Sequence, residues 1–94
     1  MNRTQILEYA ETLINGQRAQ DYGDAEIMFH AIANGWQGIL QTQVTAPQVA
    51  LCMAWLKMCR LAKYPDHLDS WADLIGYAAL GAEIATKGQH NANI

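Results

Sequence analysis

Long apolar runs are missing from this chain of 94 residues. The longest, Val49 to Leu56, falls far short of the roughly 20 residues that a membrane-spanning helix needs. Charge is scarce too. Only 16% of residues are charged and the net charge is -3, so no overall basic field draws the chain to nucleic acid or to a membrane surface. Direct DNA binding is not expected. Cysteines are few, Cys52 and Cys59 alone. Seven residues apart on one helix, they stand about 10 Å apart along the axis, beyond disulfide reach. No short-spaced Cys or His pair suggests zinc. Without a secretory signal, both thiols read as reduced core groups of a cytoplasmic protein.

What is present is apolar: 51% of residues are hydrophobic, too many for a disordered chain. Apolar positions recur at helical spacing in four stretches. The first helix is expected from about Thr4 to Asn15, with Asn2 and Gln5 able to form a capping box and Gly16 as its stop. Asp24 caps a second helix, to about Leu40. Thr45, Pro47 and Gln48 give the third a cap, an early proline and a capping-box partner. Its segment Val49 to Ala62 is apolar almost all round, which places it in the middle of a bundle or in an oligomer interface. Met53 and Met58 read as core packing. Asp66 or Asp69 is expected to cap the fourth helix, to about Thr86. Gly76, Ala78, Ala79, Gly81 and Ala82 make that helix thin. No strand alternation or linker is visible. The fold class is all-α, a compact bundle of about four helices over 1–86 with a polar tail, 87–94. A chain this short has a small core, and the apolar third helix predicts at least a dimer.

Some residues fit a plain core poorly. Lys57 and Arg60 interrupt the most apolar helix three residues apart, and Asp69, Asp73 and Tyr77 recur every four residues on the next. The helices are antiparallel neighbours, so Arg60 is expected to meet Asp73 or Asp69. That arrangement reads two ways. One is a half-buried ion pair that sets helix register. The other is a polar pocket in which Lys57 and Arg60 hold phosphate oxygens. The polar link from Arg18 to Asp24 also reads as a plain turn or as a ligand loop. In the second case Tyr22 stacks on a ring and Arg18 neutralises charge. Glu26 and His30, one turn apart, could join Asp69 and Asp73 in a divalent-metal site. His67 reads as an exposed turn residue.

Several stretches carry a resemblance. They are Ile14-Asn15-Gly16-Gln17-Arg18 with Asp21-Tyr22-Gly23, then Leu56-Lys57-Met58-Cys59-Arg60-Leu61-Ala62, then Pro65-Asp66-His67, and the run Asp69-Ser70-Trp71-Ala72-Asp73-Leu74-Ile75-Gly76-Tyr77-Ala78. Together they cover most of the chain and resemble a family of small phage and prophage proteins of unknown function. The order Tyr-Gly, Lys-x-x-Arg-Leu, Asp-x-x-Gly-Tyr is similar to the phage nucleotide-modification-associated domain. The last helix distantly resembles the second acidic helix of MazG-type all-α nucleoside triphosphate pyrophosphohydrolases. Those enzymes hold magnesium with a Glu-Glu-x-x-Glu cluster, for which this chain offers Glu26 alone.

The resemblance implies a nucleotide-related ligand more than a reaction. With Lys57, Arg60, Arg18, Tyr22 and the missing acidic cluster, the expectation is a phage accessory protein in the bacterial cytoplasm that binds a nucleotide or cyclic nucleotide without catalysis, sequestering a host defence signal. The expected ligand residues are Arg18, Tyr22, Lys57, Arg60, Asp69, Asp73 and Tyr77, with no cofactor required. One alternative is a magnesium-dependent MazG-like pyrophosphohydrolase. Another is a factor that binds a host protein through a helical face anchored by Trp36, Trp55 and Trp71.

Overall fold

A computed structural model describes residues 1–16 and 24–88. These form four α-helices and no strand: α1 (Arg3–Asn15), α2 (Ala25–Leu40), α3 (Ala46–Lys63) and α4 (Leu68–Ala85). The chain is therefore all-α.

The helix starts follow from local hydrogen bonding. At α1, Asn2 Oδ1 accepts from the Gln5 backbone N–H at 2.9 Å and Gln5 Oε1 accepts from the Asn2 N–H at 3.0 Å. Thr45 and Gln48 make the same reciprocal pair at α3, with Pro47 in the first turn. Such a cap satisfies donors that the helix leaves without partners. Thr45→Ala should therefore cost about 1 kcal/mol, read as a lower thermal midpoint with the helical content of the folded state retained. The α2 start is capped by Asp24, which accepts from the Glu26 N–H at 2.8 Å. Its end is made by Gln41 in the left-handed region, φ 59°.

The α4 cap differs from expectation. Neither Asp66 nor Asp69 caps it; His67 does, its Nδ1 lying 3.3 Å from the Ser70 N–H and 2.7 Å from the Ser70 hydroxyl. Imidazole can accept at this position as a short carboxylate would. Asp69 falls inside the first turn instead, where it favours the positive end of the helix dipole.

Helix α4, rather than α3, is the hub, packing against α3, α1 and α2. Its glycines make this possible. A β-carbon on Gly81 would stand 2.8 Å from Ala50 Cβ of α3, and one on Gly76 would stand 2.8 Å from Ile14 Cγ2 of α1. On α3, Ala50, Ala54, Lys57 and Leu61 recur at helical spacing, and all are buried or half-buried. Ala46, Val49 and Ala50 form the core cluster with Phe29 and Ala33 of α2.

The remaining side of α3 is uncovered. Leu51, Trp55, Leu56 and Met58 are exposed, and so are Cys52 and Cys59. Met58 and the two thiols are thus surface groups, not core. The spacing marks α3 as apolar almost all round, and α2 and α4 cover only one side of it. Among the described residues, no helix is long and apolar enough to cross a membrane.

Candidate functional site

A half-open cavity of about 340 Å³ lies where the end of α1, the start of α2 and the length of α4 converge. Its floor is apolar, built from Leu13, Ile14, Met28, Phe29, Leu80 and Ile84. The polar groups on its wall are Asn15, Asp24, Glu26, Asp73, Tyr77 and Glu83. The volume falls within the range of small-molecule sites, which pair an apolar lining with a few placed polar groups. The Tyr77 ring packs against Phe29, centroids 6.2 Å apart and planes inclined at 35°.

The expected ligand residues divide on the structure. Asp73 and Tyr77 line the cavity. Arg18 and Tyr22 fall outside the described residues, but Asn15 and Asp24, close to either end of that link, both line it. Lys57 reaches Asp73 from α3, Nζ to Oδ2 at 3.2 Å, with only 18% and 12% of the two side chains exposed. Arg60 is exposed and does not make the expected pair with Asp73. The reason is helical: Lys57 shares the inward stripe of Ala50, Ala54 and Leu61, whereas three residues further on the side chain has turned about 60° away at 3.6 residues per turn. Asp69 accepts a 2.6 Å hydrogen bond from the Tyr9 hydroxyl of α1 and is not part of the cavity wall.

The expected metal site is not assembled. Among the described residues no three His, Cys, Asp or Glu side chains converge to hold an ion. Asp69 is engaged by Tyr9 and Asp73 by Lys57. Glu26 and His30 do approach each other, Oε2 to Nε2 at 3.5 Å, but Glu26 is held chiefly by Lys87, Nζ to Oε1 at 2.5 Å. This bond ties the residues after α4 to the start of α2 at the cavity rim.

The hydrogen bond from Lys87 holds the Glu26 carboxyl below its ordinary value, with Coulomb attraction and His30 adding to it against some desolvation. The same contact raises Lys87 above its ordinary value. A lowered carboxyl pKa gives a contribution to stability that is present above the unfolded value and lost as pH falls through the folded one. For Lys87 the contribution is present below its unfolded value and lost as pH rises through the folded one. Both groups are solvated, so the stability effect is small. The signature is spectroscopic: Lys87→Met should raise the Glu26 titration midpoint, followed by carboxyl NMR, towards 4.5.

Phe29, Leu80 and Glu83 escaped sequence reasoning as cavity residues. The apolar pair carries only the periodicity of core, and a single Glu on an exposed turn has no distinguishing spacing.

Residues 5–85 match the model of a domain of unknown function, DUF6378. The chain belongs to that family. It is similar to the Gene 55 protein of Mycobacterium phage L5, with 42% identity over 80% of this chain and 49% of the relative. It is also similar to the Gene 55 protein of Mycobacterium phage D29, with 37% identity over 78% of this chain and 48% of the relative. The chain thus spans about half the length of these curated relatives. No solved structure matches it. The family and both relatives support a small phage protein of unknown function; the likeness to MazG-type enzymes finds no support among them.

Proposed function

We propose that this is a phage-type accessory protein that binds, without catalysis, a nucleotide-like small molecule in the cavity between α1, α2 and α4. The observation that carries the reading is a convergence. Asp73 and Tyr77, singled out on one helix, share a cavity with both flanks of the link that carries Arg18 and Tyr22.

The lining suggests how such a ligand would sit. A base would lie on the apolar floor beside Tyr77 and Phe29. The carboxylates of Asp73, Glu26 and Glu83 accept hydrogen bonds, so they suit ribose hydroxyls and exocyclic amines. They repel a bare phosphate, which therefore belongs away from them, at the mouth. Binding is favoured over hydrolysis because Asp69, Asp73 and Glu26 are each held by a different neighbour and, among the described residues, form no single ion-binding group. In a phage protein, such binding would serve to sequester a nucleotide signal of host defence.

The test is a thermal-shift panel of nucleotides and cyclic nucleotides, with and without magnesium. A ligand at 100 times its Kd should stabilise the fold by about 2.7 kcal/mol. Met28→Trp, which places bulk over the floor, should erase that shift while leaving the unliganded protein folded. A flat panel overturns the reading, and magnesium-dependent turnover replaces it with hydrolysis.

A further inference from the structure

We infer that the outward face of α3 joins two copies of this chain. Leu51, Trp55, Leu56 and Met58 are 69%, 64%, 58% and 44% exposed. Cys52 and Cys59 lie among them, also exposed. The pairs 51 and 58, and 52 and 59, are seven apart, with Trp55 between them and Ala62 one turn further on. That is the spacing of a helix–helix seam. No charged residue precedes Lys57 on this helix, and Lys57 points inward to Asp73.

The apolar area is of the size that often marks an interaction site. A Trp side chain alone presents roughly 150–250 Å², so the whole stripe amounts to several hundred. Patches of about 300–600 Å² are the largest that monomers commonly show, and about 800 Å² per partner makes a standard interface. The protomer's own core is poor by comparison. Among the described residues nine hydrophobics are buried, and six of them are alanine, the others being Phe29, Val49 and Leu61. Leu51, Trp55, Leu56 and Met58 of α3 therefore remain to be buried.

A second copy fits this face through its own shape. When two α3 helices cross antiparallel on a two-fold axis near residue 57, Trp55 of each meets the small Cys59 of the other, and Cys52 meets Ala62. Trp55 then fills the space left by Cys59, the small Cys52–Ala62 pairs let the helices approach closely, and the same patch serves both sides, as a two-fold interface requires. A lipid surface would call for basic residues flanking the apolar stripe, and only Arg60 and Lys63, near the end of the helix, supply them. None of the seam residues lines the cavity, so this inference stands or falls separately from ligand binding.

Light scattering under reducing conditions at micromolar concentration tests it. The expected particle has twice the 10.4 kDa mass of one chain. Trp55→Glu and Leu51→Glu, at exposed positions, should each give a folded monomer with unchanged helical circular dichroism. In a Cys59→Ser background, Ala62→Cys should form a covalent dimer on mild oxidation, and Cys52→Ser should abolish it. A wild-type monomer overturns the proposal and leaves the face to a foreign protein. A dimer that survives both glutamates places the interface elsewhere, and a dimer without the crosslink overturns the antiparallel pairing.

Discussion

Lys57→Ala should lower the unfolding free energy by about 1–3 kcal/mol, between what an exposed pair and a fully buried one contribute. The magnitude follows from burial. Exposed pairs contribute about 0–1 kcal/mol, but the two side chains here are only 18% and 12% exposed, and Nζ lies 3.2 Å from Oδ2. Removing the ammonium takes the Lys57 cation away from the Asp73 carboxylate at the α3–α4 interface. The double variant Lys57→Ala with Asp73→Ala should lose less than the sum of the single variants, by a coupling of about 1–3 kcal/mol. Arg60→Ala, on the exposed side of the same helix, should stay within about 0.5 kcal/mol of wild type. Urea midpoints of the four variants decide the matter. Equal losses for Lys57 and Arg60 would show that the inward stripe has been misassigned.

That pair also marks where sequence reasoning reached and where it stopped. Asp73 and the antiparallel contact of the last two helices were legible because a short turn joins two periodic segments. Which of two cations three residues apart meets Asp73 depends on a rotation of about 60°, smaller than spacing alone resolves in a helix apolar on nearly every side. The correct cue was the small residues Ala50 and Ala54, which with Leu61 mark the stripe that α4 covers, and Lys57 belongs to it. Caps were legible where a residue type has one habitual role, as at Asn2, Asp24 and Thr45. The α4 cap was not, because Asp66, His67 and Asp69 compete within four positions, and only the backbone turn after Pro65 selects the imidazole. The cavity itself could not be foreseen. Its floor is written in ordinary core residues, and it exists because three helix segments converge without filling the space between them.

The thinness of α4 was legible and leads to a test in which one substitution has opposite signs at different sites. Gly→Ala in a helix interior should gain about 1 kcal/mol from propensity alone. At Gly35 and Gly38 of α2 nothing lies within 4 Å of an added β-carbon. Each alanine there should therefore stabilise the fold by nearly that amount. At Gly81 the same methyl would stand 2.8 Å from Ala50 Cβ, below any normal contact distance. Neither carbon is the end of a flexible side chain, so relief requires α3 and α4 to move apart along their main contact. Overpacking of this kind typically costs about 1–3 kcal/mol, enough to cancel or reverse the propensity gain. Gly81→Leu, with three more heavy atoms to place, should exceed the upper end of that range and leave little folded protein at room temperature. The partner substitution identifies the cause. Ala50→Gly removes the carbon that the new one meets, so Gly81→Ala should be better tolerated on an Ala50→Gly background than on the wild type, measured as the difference in thermal midpoint. If Gly81→Ala stabilises as much as Gly35→Ala does, the two helices are not held at the separation described, and the hub role of α4 rests on other contacts.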